Sequence, residues 1–167
     1  MHMIRRATRS DVAAITGIYN EAIAEGGFTG DTVPVSIRSQ EAWFAEHQNR
    51  YAIFVAEDGD SVVGYVSLSP YRKGRPAFSN TCEMAYYISR NFRRRGIGKE
   101  LVSHAIEYAT RSGFKVVVAI LLGSNQASIE LLARFNFSEC GRVPAAATIG
   151  NDFVDHLYMS RQLDNSA

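Results

Sequence analysis

The sequence has little that would tie it to a metal, a membrane or a nucleic acid. It holds two cysteines, Cys82 and Cys140, far apart in the chain. That spacing supports neither a disulfide framework nor a zinc site. Four histidines, His2, His47, His104 and His156, also show no ligand spacing, so no metal is expected. The longest wholly apolar run, Val116 to Leu122, has seven residues and is too short to span a bilayer. Arg5 and Arg6 lie in an N-terminus without an apolar h-region, so no signal peptide is read. The net charge of +1 supplies no global field for a nucleic acid. Internal repeats, low-complexity tracts and linkers are all missing. One domain, 1–167, in a reducing cytoplasm, without membrane or nucleic-acid partners, is the expectation.

What the sequence does have is a basic glycine turn, Asn91-Phe-Arg-Arg-Arg-Gly-Ile-Gly-Lys99. A strand-like run precedes it. Apolar residues at Leu101, Val102, Ala105, Ile106 and Ala109 follow at the spacing of one helix face. Gly96 and Gly98 can take backbone angles closed to other residues. Such a turn can aim successive N–H groups at one point, and the helix N-terminus adds partial positive charge. Arg93, Arg94, Arg95 and Lys99 add full charges, so the suited ligand is a diphosphate. A P-loop is excluded, because Gly96-Ile97-Gly98-Lys99-Glu100 lacks its spacing, and a Rossmann fingerprint is excluded by Leu101 at the third glycine position. A basic turn that merely caps a helix remains an alternative on these residues alone.

The remaining pattern is ordered as follows. Met3–Arg6 reads as a strand. A helix capped by Ser10 or Asp11 carries Val12, Ile15, Ile18, Tyr19, Ala22 and Ile23, and ends at Gly26-Gly27. A loop from Phe28 to Ile37 leads to a helix from Ser39 to about Gln48, with Trp43 and Phe44 inward. Tyr51–Ala56 and Ser61–Ser69 form a hairpin, and a basic loop, Pro70 to Asn80, leads to the strand Thr81–Ser89. After the turn and its helix, Val116–Leu122 reads as a strand buried on both faces. Ser124 or Asn125 opens a short helix, and Ser138–Val143 with Phe153–Ser160 close a hairpin. The order β-α-α-β-β-β-α-β-α-β-β predicts an α+β fold. Its central sheet is mixed and mostly antiparallel, with helices on both faces.

Glu83 stands alone in an apolar and aromatic strand, Cys82 to Ile88. Either it faces water at the strand's start, or a cleft holds it there, where burial would raise its pKa and suit it to act as a base. Arg72 and Arg75 could hold a carboxylate through paired N–H groups, or belong to a solvated basic loop.

Arg93-x-x-Gly96-x-Gly98 resembles the acetyl-CoA pyrophosphate loop of the GNAT N-acetyltransferases, and the element order is similar to theirs across the chain. A closer resemblance is to the phosphinothricin and methionine sulfoximine acetyltransferase group. Glu83-x-x-Tyr86-Tyr87-Ile88-Ser89 carries it. So do Ile4 to Thr8 with Asp11 and Ile18 to Ile23, and Asn125-x-x-Ser128. The resemblance implies acetyl-CoA as co-substrate, a small primary amine as acceptor (an amino acid or analogue), direct transfer, and a homodimer. It implies Glu83 as general base. Coenzyme contacts would come from Tyr86, Tyr87, Ile88, Asn125, Ser128 and the Arg93–Lys99 turn, Ile97 included. The acceptor pocket would be shaped by the Gly27–Pro34 tract, here including Phe28, with Arg72 or Arg75. Leu132 replaces a histidine of that group, and Phe137 has no hydroxyl to act as an acid. Tyr158 more simply packs on its strand. A protein or peptide N-acetyltransferase, and a non-enzymatic phosphate- or nucleic-acid-binding module, are the rival readings.

Overall fold

In the computed structural model, which describes residues 2–164, the strands join one seven-stranded sheet in the order β1-β2-β3-β4-β5-β7-β6. Its strands are β1 (Met3–Arg6), β2 (Ile53–Asp58), β3 (Ser61–Pro70), β4 (Thr81–Ile88), β5 (Val116–Leu122), β6 (Ser138–Ile149) and β7 (Asp152–Gln162). Every neighbouring pair is antiparallel except β4–β5. The helices are α1 (Val12–Glu25), α2 (Ile37–Ala45), α3 (Ile97–Arg111) and α4 (Gln126–Arg134). Among the described residues no helix is long and apolar enough to cross a membrane.

Strand alternation decides which helix meets which face. On β2, Phe54 and Ala56 join the core under α3 and α4, while Ile53 and Val55 join a smaller core under α1 and α2. The larger core is filled by Leu101, Val102, Ala105, Leu132, Val66, Leu68 and Met84. Each large side chain buried there contributes about 1.5–3 kcal/mol. Gly64 on β3 lets α3 approach: a Cβ there would lie 3.2 Å from Leu101 Cδ1 and from the Tyr87 carbonyl oxygen.

Several expected boundaries shift. The first helix is opened by a 3-10 turn after Thr8, and Asp11, at the N-cap position of α1, turns its side chain back into a capping box with Thr8 rather than forward onto α1. Its carboxylate accepts the Thr8 N–H at 2.7 Å and both Arg5 Nη groups at 2.8 and 2.9 Å. Those contacts hold the Asp11 carboxyl at about 2, with the Arg5 hydrogen bonds as the main cause. Helix α2 begins at Ile37, because Ser36 Oγ accepts the Ser39 N–H at 3.1 Å. Strand β2 begins at Ile53 rather than Tyr51. The last hairpin runs far beyond Val143. Pro144 has no N–H to give a ladder, and the register shifts between Val143 and Ala147 before pairing resumes. Asp155 bridges that bulge, accepting the Ala145 N–H at 2.9 Å and Arg142 Nη1 at 2.6 Å.

Candidate active site

Strands β4 and β5 pair at only three positions, Thr81–Val116, Cys82–Val117 and Glu83–Val118. Beyond Glu83 they part. Strand β5 stays on β7 along its length and β4 stays on β3, while the edges that β4 and β5 turn toward each other separate. The main-chain groups of β4 that face β5 beyond this fork meet no strand. A cleft of about 960 Å³ fills the gap. Its walls include Met84 to Ile88, Ala119 to Leu121, and Asn125, Ser128, Leu131 and Phe135 from the α4 region.

The basic turn lies at the open end of this cleft. Gly96 takes φ +85° and starts α3, whose first N–H groups have no partners inside the helix. Arg93, Arg94, Gly96, Ile97, Gly98 and Lys99 line the cleft, and Arg95 does not. Gly98 is small for a second reason. A Cβ there would stand 3.2 Å from Leu131 Cδ2, so it also sets how closely α3 and α4 approach.

Arg93 is already engaged. Its Nη1 meets both Glu25 carboxylate oxygens at 2.8 and 2.7 Å, its Nε donates to the Ile88 carbonyl at 3.2 Å, and its guanidinium lies 4.6 Å from the centre of the Phe28 ring. It fastens the end of α1 to the turn. Arg95 sits over Phe92 and 3.9 Å from Asp58. That leaves Arg94, Lys99 and Arg134, all exposed, as the cations in the cleft wall without a carboxylate partner among the described residues. Asn125 uses its carbonyl oxygen to accept the Ser128 N–H at 3.3 Å, capping α4.

Glu83 stands at the fork's apex, opposite Ser69 on one side and Val118 on the other. It is half-buried, and among the described residues nothing donates to its carboxylate. Burial pushes its pKa up. Its face of β4, shared with Tyr87, looks toward α1 and α2. There the rings of Trp43, Tyr65, Tyr87 and Tyr19 form a row, with centres 6.2, 5.6 and 5.0 Å apart in turn. Tyr19 donates to Asp31, and its oxygen lies 2.8 Å from Thr29 Oγ1. His47 Nδ1 lies 2.8 Å from the Trp43 carbonyl, so the neutral ring carries its proton there. Nε2 then accepts from Ser69 Oγ at 2.9 Å. Burial lowers the His47 pKa and favours that neutral form.

The other candidates fall elsewhere. Phe28 lines the same cleft as the glycine turn. Arg72 and Arg75 are exposed on the loop before β4, outside the cleft lining. Tyr158 pairs with Ile120 and Gly141, packs on His156 at 5.1 Å, and also lies outside the lining. Phe137 and Leu132 are buried. Sequence reasoning did not single out His47, Tyr19, Thr29 or Asp31, although Thr29 and Asp31 lie in the Gly27–Pro34 tract that the resemblance gave to the acceptor pocket. For His47 the available signal was its place one turn after an inward Trp43. Among the described residues no group of three or more His, Cys, Asp or Glu is gathered to hold a metal ion.

Comparison with known proteins agrees with this geometry. The model of the Acetyltransferase (GNAT) family matches residues 15–137. An L-methionine sulfoximine/L-methionine sulfone acetyltransferase of Pseudomonas paraeruginosa is 32% identical over 96% of this chain and 94% of its own. A solved GNAT phosphinothricin acetyltransferase of Sinorhizobium meliloti, in complex with acetyl-CoA, superposes with a TM-score of 0.93 at 30% identity, covering 97% of this chain and 88% of that one. A ribosomal-protein-alanine N-acetyltransferase from Brucella melitensis superposes with a TM-score of 0.89 at 32% identity, covering 96% of this chain and 99% of that one.

Proposed function

The chain belongs to the GNAT acetyltransferase family and is an N-acetyltransferase, and from that premise we propose that it moves acetyl from acetyl-CoA to the primary amine of a small amino acid or amino-acid analogue. The observation that carries the reading is the fork. An open β4 edge, lining the cleft from Ile88 to Met84, leads from a basic glycine turn to a half-buried carboxylate at the apex, one residue beyond that lining. Main-chain groups on that edge can pair with the amides of an extended pantetheine arm, and the N–H groups opening α3 suit a diphosphate. Arg94 and Lys99 add charge at that end, while Arg93 holds the turn in place. Asn125 and Ser128 face the arm from α4.

Transfer is direct. Glu83 takes a proton from the acceptor's ammonium, through one water where the carboxylate does not reach. The neutral nitrogen then attacks the thioester carbonyl. Main-chain N–H groups along Tyr86–Ile88 stabilise the developing oxyanion. A carboxyl with a raised pKa is a stronger base once ionised, which suits this step. The acceptor lies on the α1–α2 side, bounded by the Tyr19, Tyr65, Tyr87 and Trp43 rings, and Arg72 or Arg75 holds its carboxylate.

The test is an acceptor screen that follows release of the CoA thiol. Methionine sulfoximine, methionine sulfone or phosphinothricin should release thiol faster than peptides do. Release with peptides alone would move the activity to protein N-termini or lysines. The same reading places the enzyme in the cytoplasm as a homodimer. Val143 and Phe153, 49% and 73% exposed on the last hairpin, offer apolar surface to a second copy. Light scattering at a monomer's mass would remove that part.

A further inference from the structure

Tyr86 is on β4 within the cleft wall, and its side chain points to the face shared with α3 and α4. Its hydroxyl is buried and has no hydrogen-bond partner, the one such side-chain atom among the described residues. Ser128 is the polar side chain beside it, outside hydrogen-bond geometry. A buried donor left unpaired costs stability, and a fold that keeps one needs a reason outside its own packing. The cleft supplies the reason: a ligand lying along β4 passes this atom.

The chemistry in the cleft has a use for such a donor, besides the Asn125 and Ser128 side chains of the α4 wall. When the carbon–sulfur bond breaks, its electron pair stays on sulfur, and the thiolate needs a donor. Phe135, in the cleft wall, has no hydroxyl. Leu132 and Phe137, buried on the same side, have none either. The Tyr87 phenol looks the other way, toward Tyr19.

Resting on the acetyl-CoA reading above, we propose that the Tyr86 hydroxyl donates a hydrogen bond to the coenzyme's sulfur as the thiolate leaves. Tyr86 keeps its own proton throughout. Burial pushes its phenol up to about 12, so it stays a donor at any working pH. The proton that ends on sulfur comes from the nitrogen of the adduct, which must lose its second proton to become the amide. Atoms and charges balance without another reactant.

The experiment compares CoA with desulfo-CoA, the same molecule with hydrogen in place of the thiol, on wild type and Tyr86→Phe. Wild type should bind CoA about tenfold more tightly than desulfo-CoA, with the margin widening as pH rises through ionisation of the thiol. Tyr86→Phe should bind the two equally, and its kcat should fall about 10- to 100-fold. The ligand-free variant should melt no lower than wild type, because the lost hydroxyl had no partner. Equal loss of affinity for both ligands would overturn the assignment and give Tyr86 to the pantetheine amides. An unchanged kcat would overturn it as well. Should wild type bind neither ligand, the acetyl-CoA reading itself falls and takes this assignment with it.

Discussion

The two sides of the fork are built differently. The side proposed for the coenzyme is mostly main chain: an unpaired strand edge, a glycine turn and the first turn of a helix, all within Thr81–Arg111 and close in sequence. The side proposed for the acceptor is mostly side chains, drawn from α1, the loop after it, α2, β3 and β4: Tyr19, Asp31, Trp43, His47, Ser69 and Glu83. A main-chain site binds what acyl-CoA molecules share. A side-chain site sets which amine is used, and can change without disturbing the other.

The comparison breaks most sharply at Glu83, where the two sides meet. Glu83→Gln should leave acetyl-CoA binding unchanged and lower kcat/KM at neutral pH by about 10²–10⁴. The wild-type acid limb should lie above the ordinary carboxylate value of 4.5, because burial raises the pKa and the proposed base works in its ionised form. That limb should vanish in the variant, and its deficit should shrink toward the acceptor's own pKa. Wild-type kcat/KM at pH 7 for Glu83→Gln would remove the base.

On the coenzyme side, Gly96→Ala puts a Cβ at φ +85°, a strain of about 1–2 kcal/mol. The turn should relax away from its aim, and the KM for acetyl-CoA should rise about tenfold with the acceptor KM unchanged. A rise in both constants would mean that the turn supports the whole fork.

Away from both sides, Asp11→Ala should cost about 1–2 kcal/mol of stability, since Arg5 is partly exposed and solvent screens the pair. The folded carboxyl sits at about 2, below the ordinary aspartate value of 3.8. Its contribution is therefore present above pH 3.8 and fades as pH falls through about 2. The wild-type advantage in urea melts should vanish in that window, with kinetic constants unaltered at pH 7.

The smallest effect belongs to Arg72→Ala and Arg75→Ala. An exposed arginine meeting a carboxylate contributes about 0–1 kcal/mol, so the acceptor KM should rise at most about fivefold for the responsible residue. Amino acids should suffer more than the matching decarboxylated amines. Equal losses would take the loop out of the acceptor site.

By itself the sequence determined the order of elements, β5 from Val116 to Leu122, a cap at Ser124 or Asn125 that the structure assigns to Asn125, and the basic glycine turn. These are written in short-range chemistry: a period of two or 3.6, a side chain reaching an N–H three residues on, glycines where a Cβ is barred. It also marked Glu83, because a carboxylate in an apolar strand is conspicuous. Tertiary structure alone decided the fork, because β5 pairs with β4 at only three positions but with β7 along its whole length, and β7 follows it by about thirty residues. It decided that Arg93 is fastened to Glu25, across 68 residues of chain, before any phosphate arrives. It set His47 against Ser69 and left the Tyr86 hydroxyl unpaired at the cleft wall. Each of these depends on which distant residue comes within about 3 Å, and no local pattern in the chain encodes that distance.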